Sequence, residues 1–230
     1  MTGNINRMVV AMTMIPMLSM AVTQLPADTI TAEDLFTASG ATGPGGNEGV
    51  DLGVDTITIG VASFKGFDNG TPSNLSYAVA TAPGVGVFAH GGVPNSKRTN
   101  ARRSVSGTNM IDIDFSLAAD VSEIRIGRWG ASDGSFKISG FGGDPLATAS
   151  GGSTASYDGL SDTLTLTAPS SFGAVTVTFA DATGIGSLSL MQVDPLNDGM
   201  SFESISFVPE PATLSLLALG GLGLLRRKQN

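Results

Sequence analysis

Carboxylates are the side chains of this chain most readily turned to chemistry. In the stretch "NMIDIDFSL", Asp112 and Asp114 lie two apart, so on a strand both project from one face. Two carboxylates held that way can flank a cation or a glycosidic bond, as they do in sugar hydrolysis. Alternating Asp on a solvent face also keeps a strand soluble, and the spacing alone leaves both uses open. Asp158 with Asp162, and Asp194 with Asp198, sit in turn sequences and could offer oxygens to Ca2+. Neither run continues as an EF-hand loop with its central Gly and closing Glu. No metal ligand set is assigned, and no cofactor is expected beyond the Ca2+ that such turns could take.

Other catalytic classes lack their parts. The chain has one histidine, His90, and no cysteine, which excludes multi-His metal sites, thiolate metal sites, thiol catalysis and a disulfide framework. His90 precedes Gly91-Gly92 at the end of a strand-like run, and no neighbouring nucleophile or orienting carboxylate makes it a general base. No Gly-x-Ser-x-Gly elbow, phosphate loop or His-Glu-x-x-His occurs. No catalytic residue is assigned, and the chain is expected not to be an enzyme. For sugar binding, the aromatic platforms are few: Trp129, Tyr77 and Tyr157. Trp129 follows Arg128 at a strand end, where it could stack on a sugar at a loop rim or seal the edge of a core. The loop "GGVPNSKRTNARRSVSG" carries Lys97, Arg98, Arg102 and Arg103. It could engage acidic polysaccharide or lipid head groups, or simply be solvated. Trp129, Arg98, Arg102 and Arg103 are the candidate glycan-binding residues.

These residues must be positioned by strands. Period-two alternation recurs from Val54 to Val208. "DTITIGVASF" sets Ile57, Ile59 and Val61 on one face, and Ile111, Ile113 and Phe115 alternate with Asp112 and Asp114. The runs "LSYAVATA", "VGVFAH", "SEIRIGRW", "SFKISGF", "DTLTLTA", "AVTVTFA", "IGSLSLMQV" and "FESISFV" follow the same habit. Asn69-Gly70, Asp133-Gly134, Asp158-Gly159 and Asp198-Gly199 mark turns between them. About ten short strands with one apolar face each predict an all-β, antiparallel, jelly-roll-like sandwich over residues 50–207. Residues 22–49 are expected to form a flexible N-terminal segment. Within them Thr31 could cap a short helical turn over "TAEDLFTA", or the stretch could be a loop. No fixed-period repeat suggests a solenoid or propeller.

Composition agrees with strands and turns: 31 glycines, 14% charged residues and 6% aromatics in 230 residues. The formal net charge is −8, and four of the twelve basic residues lie in the two terminal segments. The middle is therefore more acidic still, and nucleic acid is not an expected partner.

The ends differ from the middle. Arg7 precedes an apolar, Met-rich run from Met8 to Ala21 that exits through Ser19-Met20-Ala21. This pattern predicts a secretory signal peptide over residues 1–21, cleaved after Ala21 or at Ala27, and hence export through the Sec machinery. At the other end an apolar run from Ala212 to Leu225 precedes Arg226, Arg227 and Lys228. Its length as a helix, about 21 Å, falls short of a ~30 Å hydrocarbon core. The segment would thus hold the inner membrane only transiently, with its basic tip kept in the cytoplasm. Before it, Pro209 and Pro211 fix φ and lack an N–H, which predicts a stiff, extended tether outside any sheet.

Val208-Pro209-Glu210-Pro211, the Gly-bearing apolar run and the final Arg-Arg-Lys together resemble the PEP-CTERM sorting signal, over residues 208–230. The resemblance implies a diderm bacterial host and processing by an exosortase, a membrane-embedded sortase-like cysteine peptidase. It also implies a cell-surface or extracellular destination linked to exopolysaccharide or biofilm matrix. Residue by residue, Pro209, Glu210 and Pro211 match the signature, Ala212 to Leu225 the membrane segment, and Arg226 to Lys228 the basic stop.

Overall fold

The computed structural model describes residues 27–42, 50–68, 70–78, 84–87, 109–131, 134–193 and 201–210. They form a mostly β protein with one short helix, built on a large antiparallel sheet that does not close. In chain order the elements are β1 (Asp28–Thr31), α1 (Ala32–Ser39), β2 (Val50–Asp51), β3 (Thr56–Ile59), β4 (Ala62–Asp68), β5 (Thr71–Pro72), β6 (Leu75–Ala78) and β7 (Gly84–Val87). Then come β8 (Asn109–Trp129), β9 (Ser135–Ser139), β10 (Ala147–Ala149), β11 (Ala155–Asp158), β12 (Thr163–Leu166), β13 (Gly173–Phe179), β14 (Ile185–Val193) and β15 (Ser201–Pro209).

The organising element is β8, 21 residues long. Its first half pairs with β4 and β14, and its second half with β13 and β15, the change falling around Ala119. One edge runs outward from β14 through β9 and β12 to β11. The other runs from β15 through β7 and β6 to β2, and β1 pairs with Ser204 to Phe207 of β15. Rings tie the two halves of the network together. Phe64 meets Phe202 at 5.4 Å, Phe115 meets Phe207 at 5.0 Å, and Phe141 meets Phe179 at 5.3 Å between centroids. The apolar sides of the alternating strands, including Ile111, Ile113, Ile124, Ile126, Leu188 and Leu190, are buried there.

Among the described residues fifteen strands replace the expected ten or so, and the difference has physical causes. Strands β2, β5 and β10 have two or three residues, too few to leave an alternation in sequence. In the other direction, "NMIDIDFSL" and "SEIRIGRW" are one strand. "DTITIGVASF" is two, because Gly60 at φ 57° turns the chain between Ile59 and its register partner Ala62. The alternation of Ile57 and Ile59 therefore stops before Val61. All fifteen strands also join in one hydrogen-bonded network, where two separate sheets were expected.

The N-terminal segment is a second correction. Residues 28–39 within the expected flexible stretch 22–49 are strand and helix. Thr31 caps α1 reciprocally: the Asp34 N–H donates to Thr31 Oγ1 at 3.2 Å and the Thr31 N–H to Asp34 Oδ2 at 2.8 Å. Gly40, at φ 69°, closes the helix. An eight-residue helix does not stand alone in water. This one buries Leu35 and stacks Phe36 on Tyr77 at 4.6 Å.

Both described tyrosines resist ionisation. Burial, then the charge of Glu33, pushes the Tyr77 hydroxyl above its usual value of 10.0. Tyr157 is pushed up to about 12, first by desolvation and then by its hydrogen bond to Asp162. A folded value above the unfolded one contributes stability that is complete below pH 10 and lost as pH rises through about 12. The Tyr157 step of the native tyrosinate titration is therefore expected near pH 12 and the Tyr77 step above pH 10, the value at which the chain in denaturant titrates. Native titration of both tyrosines at pH 10 would contradict the packing of the two rings.

Candidate functional site

The C-terminal motif begins inside the sheet. Strand β15 starts at Ser201, whose register partner is Gly127, and a bulge at Glu203 shifts the pairing before Ser204 meets Arg125. Ile205 then lies opposite Ile124, and Phe207 opposite Val121. Phe207 is 1% exposed and fixes the strand to the core. The next residues follow its direction: Val208 pairs with Asp120 and Pro209 with Ala119. The Glu210 N–H donates to the Ala118 carbonyl at 2.7 Å.

The expectation of a tether outside any sheet is therefore corrected for its first residues. Extended backbone is as read, but Val208 and Pro209 are strand. A proline is tolerated because the Glu210–Ala118 bond puts Pro209 and Ala119 in the alternate, non-hydrogen-bonded pair, so the missing N–H would face away from β8, on the flank that β1 has left. On the other flank, β1 covers only Ser204 to Phe207, ending with Asp28 opposite Phe207. Beyond Phe207 the segment is held from the β8 side. The turn before β14 closes the same corner: Asp120 Oδ1 accepts from the Gly184 N–H at 3.1 Å. A side chain at Gly184 would begin 3.4 Å from Glu210 Oε1. Ala118, Ala119, Asp120 and Gly184 belong to the site and carry no signal of it in the sequence, because only register brings them to the motif.

Pro211, Arg226, Arg227 and Lys228 lie outside the described residues, as do Ala21 and the rest of 1–26. No helix among the described residues is long and apolar enough to cross a membrane.

The other candidates are placed as follows. Asp112 and Asp114 do share a face of β8, but each is engaged. Lys65 Nζ donates to Asp114 Oδ2 at 2.6 Å, and Ser189 Oγ donates to Asp112 Oδ1 at 2.6 Å. The Lys65 ammonium is held above its ordinary value, first by the hydrogen bond to Asp114 and then by that residue's charge. The pair is about two-fifths exposed on each side, so it organises a surface more than it stabilises the fold. Around it the outward positions of adjacent strands are Thr58, Ser63 and Ser187 in one row and Thr56, Ser189, Ser139 and Thr163 in the next. This is a hydroxyl-rich face.

Asp158 and Asp162 shape the turn between β11 and β12. Both Asp162 oxygens accept from the Gly142 N–H at 3.0 Å, and Tyr157 donates to Oδ1 at 2.8 Å. Asp158 accepts from Ser161 Oγ at 2.7 Å and the Leu160 N–H at 3.0 Å, which hold its carboxyl below the usual range. Among the described residues no three acidic or histidine side chains converge on a metal position.

Trp129 is 0% exposed, packs on Phe136 at 6.1 Å, and donates from Nε1 to the Gly134 carbonyl at 3.2 Å. The reading of Trp129 as a rim residue for sugar stacking is corrected: its position at the end of β8 points it into the core. His90, Lys97, Arg98, Arg102, Arg103, Asp194 and Asp198 lie outside the described residues.

One buried charge was not anticipated. Glu203, 9% exposed, takes the Arg125 Nε at 2.5 Å on one oxygen while its other oxygen has no hydrogen-bond partner among the described residues. It occupies the space that a side chain at Gly127 would need.

No curated protein and no solved structure matches the chain. Residues 207–229, which open with the last residues of β15 and run on past Lys228, match the model of the PEP-CTERM protein-sorting motif, so the chain carries at its C-terminal end a signal that implies an exported protein processed by an exosortase.

Proposed function

We propose that this chain is a non-enzymatic cell-surface or extracellular-matrix protein of a diderm bacterium, exported through Sec and released by an exosortase at or near Pro209-Glu210-Pro211. The observation that carries the reading is the junction itself. The sorting motif starts on the last described strand of a folded β body, and in sequence the apolar run and basic tip follow without a spacer. Such an order gives a body that folds outside the inner membrane and a tail that holds it there until it is cut.

Several observations support a structural role for the body in an exopolysaccharide or biofilm matrix. Its acidity and hydroxyl-rich face suit a hydrated polymer, and a two-layer sandwich is supported by the ring contacts across the sheet network. The carboxylates that a glycan hydrolase would need are tied to Lys65 and Ser189. A carbohydrate-binding reading loses its stacking residue to the core, which leaves it the basic loop with Arg98, Arg102 and Arg103.

The test is deletion of Pro209 to Pro211 in a host that carries an exosortase. The deleted chain is expected to stay full length and membrane-associated, while the parent appears shortened outside the inner membrane. Equal release of both forms would remove the assignment.

A further inference from the structure

A membrane peptidase that reads an extended segment takes hydrogen bonds along the segment's backbone, much as a sheet edge takes a new strand. In this protein one of the segment's two edges, the one facing β8, is already occupied. Val208 and Pro209 are register partners of Asp120 and Ala119, and the Glu210 N–H is spent on the Ala118 carbonyl at 2.7 Å. Pro209 is buried and Glu210 half-buried. The body thus covers the first half of its own sorting motif.

The structure also marks where the cover can lift. Up to Phe207 the strand is paired on both sides, by β1 and by β8, and the Phe207 ring is packed on Phe115. From Val208 onward β1 has ended, and among the described residues β8 is the strand that pairs with the chain. Peeling Val208 to Glu210 from Ala118–Asp120 uncovers Pro209 and Ala119 at the rim but leaves the Phe207 ring on Phe115, whereas peeling Phe207 would open the core. Strand ends held from one side are the low-stability end of a fold, and their open fraction sets the rate of proteolysis when reclosing is fast.

We propose that pairing of Val208–Glu210 with β8 is an autoinhibitory clamp: the folded body masks the sorting motif, and local peeling of these residues precedes processing. The clamp rests on the reading of the chain as an exosortase substrate. It makes the speed of release a property of the body as well as of the tail.

The experiment compares two full-length chains by pulse-chase in a host with the exosortase and in the same host without it. One is the natural chain. In the other, a flexible Gly/Ser segment of about ten residues, followed by a second Phe-Val-Pro-Glu, is inserted between Glu210 and Pro211. The original Phe207–Glu210 stays docked, and an intact motif follows it free of the sheet. The spaced chain is expected to be processed about fivefold faster, the factor that one net backbone hydrogen bond represents. Equal or slower exosortase-dependent processing overturns the clamp and leaves the exosortase reading standing. Processing that is the same without the exosortase overturns both. Trp129 fluorescence checks that the spaced body is folded. As an independent readout, hydrogen exchange on the natural full-length chain in detergent should find the Glu210 amide protected; an amide exchanging at the free-peptide rate also overturns the clamp.

Discussion

Replacing Trp129 by alanine is expected to destabilise the protein by about 3–5 kcal/mol, the range for removing a large buried aromatic side chain. The ring is fully buried at the end of β8, against Phe136 and beside the β13 residue Gly173 that is its register partner. Alanine leaves a cavity where the two halves of the network meet, and it strands the Gly134 carbonyl that accepts from Nε1 at 3.2 Å. Trp129→Phe keeps part of the volume and loses the hydrogen bond, so its loss should be clearly smaller. Because the chain has a single tryptophan, the comparison is read by circular dichroism in urea, not by intrinsic fluorescence. The result also bears on function. A stacking platform can be truncated with little effect on stability, whereas a core residue cannot. An unchanged midpoint for Trp129→Ala would return the residue to the surface and revive a sugar-binding role.

How far the sequence could be read depended on the range of the interactions involved. Alternation is local, so Ile111–Ile113–Phe115 and Val175–Val177–Phe179 announced their strands and their buried faces. The identity of the tail was legible for the same reason, since order and composition within Phe207–Gln229 suffice for it. Elements shaped by distant partners were not legible. Asp28–Thr31 is a strand because β15 lies beside it; α1 was legible only as a turn capped by Thr31 or a loop, and it is a helix because Leu35 and Phe36 find a core and a tyrosine ring. Trp129 gave an ambiguous signal because a strand end can face either way. The docking of Pro209 ran against local preference: proline reads as a sheet breaker, and it is the burial of Phe207 two residues earlier and the Glu210 bond to Ala118 that carry it along β8. A single long β8 was likewise hidden, as its two halves alternate separately and join through a change of partners around Ala119.

Gly140→Ala is the second large effect, expected to destabilise by about 3 kcal/mol or more. Gly140 follows the last residue of β9 at φ 103°, a backbone region that L side chains rarely adopt, and such strain costs about 1–3 kcal/mol. The site is also closed. A Cβ there would sit 2.4 Å from the Ser187 carbonyl oxygen and 3.3 Å from its carbon. That neighbour is backbone of β14, which pairs with β9 on one side and β8 on the other, so it cannot swing aside as a side chain would. Overpacking of this kind adds about 1–3 kcal/mol. Gly143→Ala is the matched control: its φ is not in the left-handed region and nothing lies within 4 Å of the new methyl, so a change within about 0.5 kcal/mol is expected. Urea midpoints for the two variants separate the causes, since both lose the same glycine freedom in the unfolded chain. Similar midpoints would mean that β9 does not enter the sheet in the register Ser139 to Ser189, and the hydroxyl row through Ser139, Ser189 and Asp112 would fall with it.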